Sequence, residues 1–200
     1  MSFGFQLFWV KGCSRLGNIN EKLDKLRSLI QDSDFLTGKG LSNEVNIRMF
    51  CYDPEDEMTV RHFIKQLEKD KSLECNLICH NLYNIFLEIC DEKNIIDKIP
   101  DMEEKRGSDY LKDRILKFST TKAFAEKMQY EDHEKGDVLM LTGVGEVYPF
   151  MRVHSLLEEL QTGFDDIPIV VLYPGSFDGR AVTLFNEFTP NEYYRAFNII

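Results

Sequence analysis

The chemically most suggestive run is Thr142-Gly143-Val144-Gly145-Glu146-Val147-Tyr148-Pro149-Phe150-Met151-Arg152-Val153-His154. Glycines spaced as Gly-x-Gly let backbone N–H groups approach an anion, and a helix N-terminus beyond them stabilises its charge. A Walker loop further needs Lys followed by Ser or Thr, to reach the β/γ-phosphates and the magnesium. Glu146, Val147 and Tyr148 stand there instead, and a carboxylate at 146 repels phosphate. Gly143 and Gly145 thus permit close approach of backbone without supplying nucleotide chemistry. Arg152 and His154 lie two apart, so mid-helix they would diverge by about 200°. Arg152, near the start of an expected helix over 150–161 opened by Pro149, is the candidate for binding, with an ion pair to Asp53 or Asp178 as its structural alternative. His154 is expected to pack inward or cap a loop.

The next candidate is Tyr173-Pro174-Gly175-Ser176-Phe177-Asp178-Gly179-Arg180, expected as a loop after a buried strand. Loops on a rigid scaffold often carry recognition, which makes Gly175, Phe177 and Arg180 candidate binding residues; the alternative is a turn demanded by Pro and Gly. Ser176 has no His or Lys nearby in sequence, and the Gly-x-Ser-x-Gly of a serine hydrolase is absent. In the tail, Glu192-Tyr193-Tyr194-Arg195-Ala196-Phe197 brings aromatics and Arg195 together, a composition typical of interface anchors. Cys75-x-x-x-Cys79-His80 lacks a second ligand pair at zinc-site spacing. Asp53, Glu55, Asp56 and Glu57 lack the regular spacing of a calcium loop and read as helix-start acids complementing a dipole. His133, among acids before Gly136, reads as a solvated turn. Gly38-Lys39-Gly40 has no strand before it and no hydroxyl directly after the lysine. These readings predict no catalytic set, no metal site and no cofactor, hence no enzymatic activity.

Hydrophobic periodicity supplies the elements that position these residues. Residues 18–31 read as an amphipathic helix with Ile19, Leu23, Leu26, Leu29 and Ile30 on one face. Strands are expected over 45–52, 73–79, 138–142 and 168–173, and helices over 58–70 and from Asn81. Residues 95–107 read as a polar connector, 108–131 as helix broken near Ser119-Thr120-Thr121, and 191–197 as a short closing helix or turn. Strands alternating with helices predict a three-layer Rossmann-like or P-loop-like α/β domain, its mainly parallel sheet of about four strands lacking Walker motifs. Ligands on such sheets bind beyond the carboxyl ends of the strands. Tyr52-Asp53, His80-Asn81, Thr142–Gly145 and Tyr173–Asp178 are therefore expected along one edge.

Composition narrows the function classes. The chain has 24 Lys and Arg against 34 Asp and Glu, a net charge of −10. Nucleic-acid binding runs on cation-driven counterion release, so strong direct DNA binding by the monomer is not expected, although a local basic patch is compatible with the composition. Five cysteines, an odd number mostly within apolar segments, suit free thiols in a reducing cytoplasm. No run approaches the ~20 apolar residues of a membrane span. The apolar FGFQLFWV has Lys11 after it, whereas a secretory signal has its basic region first.

The segments LTGVGEVYPFMRVHSLLEEL, VVLYPGSFDG and NEYYRAFNI together resemble the BrxB family of bacterial BREX phage-defence systems. The resemblance runs from about Asn18 to the C-terminus, giving a single domain over 18–200; residues 1–17 depart from the pattern and form an N-terminal extension. It implies a small accessory protein of a multi-gene defence island. The neighbours it implies are a PglZ-type phosphatase-like protein, a methyltransferase and a large ATPase. It carries no enzymatic activity with it. The resulting expectation is a non-catalytic adaptor that binds another BREX component, the PglZ-type protein first. The alternative is a nucleotide-responsive or phosphoester-acting α/β enzyme, which rests only on fold class and the Gly-x-Gly turn.

Overall fold

The computed structural model describes residues 19–38, 46–130, 133–161, 163–177, 181–188 and 198–199. Its centre is a sheet of four parallel strands in the order β2-β3-β4-β1: β1 (Ile47–Tyr52), β2 (Asn76–Asn81), β3 (Asp137–Thr142) and β4 (Ile169–Phe177). A short β6 (Asn198–Ile199) runs parallel to β1 at its outer edge, and β5 (Val182–Leu184) pairs antiparallel with the far end of β4. Val138, Leu139, Met140 and Leu141 are all 0% exposed. A strand covered on both faces favours such an unbroken apolar run over alternation.

Side chains leave a strand on alternate faces, and here each face has its own core. Phe50, Tyr52, Val138, Met140, Val170 and Leu172 pack under α1 (19–29) and α3 (Glu57–Leu67). Between β1 and α1 lies α2 (Ser33–Leu36), capped by Asp32. On the opposite face Met49, Leu139, Leu141, Ile169 and Val171 meet α4 (Leu82–Glu92), α6 (Ser108–Leu116), α7 (Thr121–Met128), α8 (Val144–Val147) and α9 (Val153–Leu160). The result is a three-layer α/β domain with no Walker motif in its sequence. The expected face of α1 is the one it buries, with Ile19, Leu23, Leu26 and Ile30 at or below 3% exposure. The break in the 108–131 helix falls between α6 and α7, where Thr120 caps the second piece by accepting from the Ala123 N–H.

Several expectations need correction. Residues 95–107 are not an irregular connector: they form a 3₁₀ turn (Ile96–Lys98) and α5 (Ile99–Arg106), with Pro100 in the first turn, where its missing N–H costs no hydrogen bond. Pro149 does not open a helix. It follows α8 across a cis Tyr148–Pro149 peptide, and α9 starts only at Val153. Cys75 precedes β2 rather than lying in it. The run 173–177 is not a loop but the end of β4, held by pairing of Gly175, Ser176 and Phe177 with β5. His133 is not solvated: its side chain is 10% exposed. Residues 1–18, which include the proposed extension and Asn18, and the expected closing element over 191–197 lie outside the described residues.

Candidate functional site

Because β1 to β4 are parallel, their carboxyl ends share one edge, as the sequence pattern predicts. Asn81 is registered against Thr142, and Tyr52 against Pro174. Helix α3 leaves β1 toward one face, while α4 and α8 leave β2 and β3 toward the other. A cleft of about 390 Å³ opens between these departing helices, lined by Tyr52, Glu57, Arg61, Asn81, Thr142 and Glu146 among others. This is where a doubly wound sheet presents ligands.

Most of the charged groups of the cleft are tied to one another; Lys65, which also lines it, forms no ion pair among the described residues. The Tyr52 hydroxyl donates to Glu57 Oε2 at 2.6 Å, and Arg61 Nε donates to Glu57 Oε1 at 2.6 Å. The Arg61 guanidinium also reaches Glu146 Oε1 at 2.9 Å, and Asn81 Nδ2 donates to Glu146 Oε2 at 3.4 Å. Burial, then the Glu57 hydrogen bond and charge, push the Tyr52 hydroxyl far above its ordinary range. The Glu57 hydrogen bond leads the causes that raise Arg61. Deeper in, burial followed by the Glu68 carboxylate pushes the Cys79 thiol up to about 12. That thiol stays protonated at neutral pH and is a poor nucleophile.

The two glycines of the turn are filled by neighbours. Gly143 has φ +73°, and a Cβ there would lie 2.8 Å from the Asn81 side chain. Asn81 is fixed in turn, capping α4 by accepting from the Asn84 N–H at 3.0 Å. A Cβ on Gly145 would meet the Phe185 ring at 2.6 Å and Pro174 at 3.2 Å. Helix α8, four residues long with Glu146 in its first turn, is a poor anion cradle.

The remaining candidates are spread apart. Gly175 lies in the β4–β5 arm, where a Cβ would be 2.0 Å from the Thr183 carbonyl oxygen. Phe177, two residues on, is 38% exposed. Arg152 is the exposed N-cap residue of α9 and lines a separate groove with Lys112, Tyr148 and Phe150. Among the described residues it forms no ion pair with Asp53, whose side chain instead accepts from the Glu55 N–H. His154 is half-buried beside Glu158, with Nε2 at 3.3 Å from Oε1. Arg180 and Arg195 lie outside the described residues. Strand alternation puts Cys79 and His80 on opposite faces of β2, so Cys75, Cys79 and His80 do not converge on one point.

Two groupings escaped the sequence reading. The Glu57–Arg61 pair has legible i,i+4 spacing, but nothing local reports its link to Tyr52 and Glu146. At the opposite end of the sheet, Asp137 is 2% exposed and accepts from Asn76 Nδ2 (2.8 Å), the Tyr130 hydroxyl (2.8 Å) and the Glu134 N–H (2.9 Å). Beside it His133 Nδ1 lies 2.7 Å from Asp166 Oδ1, its ring against Tyr130 and Phe164.

A family model described as BREX protein BrxB matches residues 78–199, which run from within β2 to β6 and include the Gly143–Arg152 stretch. The chain belongs to the BrxB family. A BREX protein BrxB of Bacillus cereus (strain H3081.97) is 37% identical over 189 residues, covering 91% of this chain and 97% of the relative. A second, from Escherichia coli O9:H4 (strain HS), is 27% identical over 180 residues, 90% of each chain. No solved structure is significantly similar to the chain. In this BrxB-family chain no described helix is long and apolar enough to cross a membrane.

Proposed function

We propose that the chain is a non-catalytic accessory protein of a BREX-type anti-phage system, acting by binding another BREX component, with the PglZ-type protein as the first partner. The observation that carries this reading is the state of the carboxyl edge. Arg61, the one arginine lining the cleft among the described residues, is clamped by Glu57 and Glu146, the glycines are filled by Asn81 and Phe185, and the Cys79 thiol is held protonated. These groups serve one another and leave little for phosphate or nucleophilic chemistry. Exposed aromatics, Phe177 at 38% and Phe188 at 46%, stand on and beside the β4–β5 arm, and aromatic anchors dominate many interfaces.

Co-purification from a host carrying the whole defence island tests this. Tagged chain should retain the PglZ-type protein, and replacing Arg152, Phe177, Arg180 or Arg195 by Ala in a folded protein should weaken retention and phage restriction. Truncating an anchor costs about 2 kcal/mol, roughly thirtyfold in affinity. Wild-type chain that retains no island component would overturn the reading.

The cleft of about 390 Å³ keeps a nucleotide-responsive enzyme as the second reading. A ligand specific to the native state raises apparent stability by mass action. A melting temperature that rises with ATP or GTP and Mg²⁺, and fails to rise after Gly143→Ala, would favour it.

A further inference from the structure

The 3₁₀ turn, α5 and α6, inserted between α4 and α7, are built unlike the rest of the molecule. Helix α5 buries none of its eight residues, and its neighbour α6 buries only Leu111 and Ile115. Three of the large exposed apolar side chains lie in this insert: Ile96 (37%), Tyr110 (36%) and Leu116 (38%). Between the end of α4, the 3₁₀ turn, α5 and α6 is a groove of about 360 Å³. Its floor is Ile95, Met102 and Phe118, and its walls are Lys93, Lys98, Arg114 and Lys117. No acidic residue lines it. None of the four cations forms an ion pair among the described residues, a state shared by surface lysines such as Lys25, Lys69 and Lys71; what sets the groove apart is that four such cations converge on one apolar floor. On a chain of net charge −10, four unneutralised cations around an apolar floor repel one another and are stabilised by an anionic occupant.

We propose that this groove docks an acidic segment of a partner protein, one in which carboxylates flank an apolar side chain. The deduction rests on the adaptor reading above and names the chemistry of the contact. The apolar floor selects a side chain rather than a phosphate, and the cations select the flanking carboxylates. Duplex DNA fits less well. Its phosphates continue past the groove, onto a surface with an excess of acids that repel it.

The test compares two triple charge reversals of the full chain with equal change in net charge. One is Lys98→Glu, Arg114→Glu and Lys117→Glu at the groove. The other is Lys25→Glu, Lys69→Glu and Lys71→Glu elsewhere. All six side chains belong to exposed residues, so both variants should fold, which circular dichroism and melting temperature verify. The probes are fluorescent peptides of sequence Glu-Glu-Leu-Phe-Glu-Glu and Lys-Lys-Leu-Phe-Lys-Lys, a short duplex DNA, and the PglZ-type protein itself. The acidic peptide should bind and the basic one should not. The groove variant should lose about tenfold or more in affinity for the acidic peptide, against less than about twofold for the control. Equal loss in both variants, no acidic-peptide binding, or groove-dependent binding of DNA in its place overturns the proposal. Retention of the PglZ-type protein by wild type and groove variant alike leaves the adaptor reading standing and overturns the groove. Groove-dependent peptide binding with no island component retained does the reverse.

Discussion

At Gly175 a methyl group would stand 2.0 Å from the Thr183 carbonyl oxygen, an atom fixed in the β4–β5 ladder, whereas at Gly145 it would meet the edge of the Phe185 ring. Backbone cannot swing aside and a ring can. Gly175→Ala should therefore lower stability by about 3 kcal/mol and Gly145→Ala by nearer 1 kcal/mol, read from urea denaturation; the opposite ranking would show that the arm is pliant. His80 offers a pH-dependent test. Burial lowers its pKa from 6.5, against the raising effect of Glu88. The native state then disfavours the charged form, so its contribution to stability is full above the unfolded value of about 6.5 and declines as pH falls from there through the folded value. The melting temperature of wild type should drop more between pH 7.5 and 5 than that of His80→Gln, with pH values chosen to bracket an unfolded pKa of about 6.5. Parallel curves would show that His80 ionises without cost. At this scale the sequence marked Gly143 and Gly145 as places of close backbone approach; in the structure Gly145 and Gly175 make room for Phe185 and Thr183 of the same chain. That cannot be read locally, because the neighbours come from a strand pairing that no turn signal announces.

Elements meet at the amino ends of β2 and β3 through Asp137. Burial alone would raise its pKa, but the Glu134 N–H, Asn76 and Tyr130 hydrogen bonds and the nearby His133 outweigh that and lower it. A depressed carboxylate stabilises the fold above the unfolded pKa of about 3.9, and that stability is lost as pH falls through the lower folded value. Asp137→Asn sets an amide against donors and should cost about 2–3 kcal/mol at neutral pH, with the difference from wild type shrinking in acid melts. An equal deficit at pH 7 and pH 3, on either side of an unfolded pKa of about 3.9, would sink this account. Short apolar runs identified β1 to β4 and period-3.6 patterns α1, α3 and α4, with boundaries a few residues off. They missed β5 and β6, three and two residues long, because so short a strand carries no period; pairing with β4 and β1 defines them. The polarity of 95–107 suggested a connector, but polarity reports exposure rather than irregularity: α5 is helical with no buried residue.

For the whole molecule, net charge governs long-range behaviour. At physiological salt the chain alone should bind duplex DNA no tighter than about 1 µM and without sequence preference; a tighter, groove-dependent complex would make the insert a nucleic-acid site. Purified chain should likewise hydrolyse no ATP, given Glu146 and its neighbours where Lys and Ser or Thr would be needed. Turnover that survives repurification and disappears on a Gly145 substitution would contradict that. The sequence by itself determined the α/β class, the parallel sheet, the common carboxyl edge and the family, because strand and helix periods and short motifs are local properties of the chain. Only the tertiary structure decided that the Glu57–Arg61 pair is joined to Glu146, that Arg152 lies apart from Gly143 and Gly145, and that Lys93, Lys98, Arg114 and Lys117 surround one groove. Charge pairing and cavity lining depend on distances between elements, which are set when both faces of the sheet are buried at once and leave no trace in the spacing of residues along any single element.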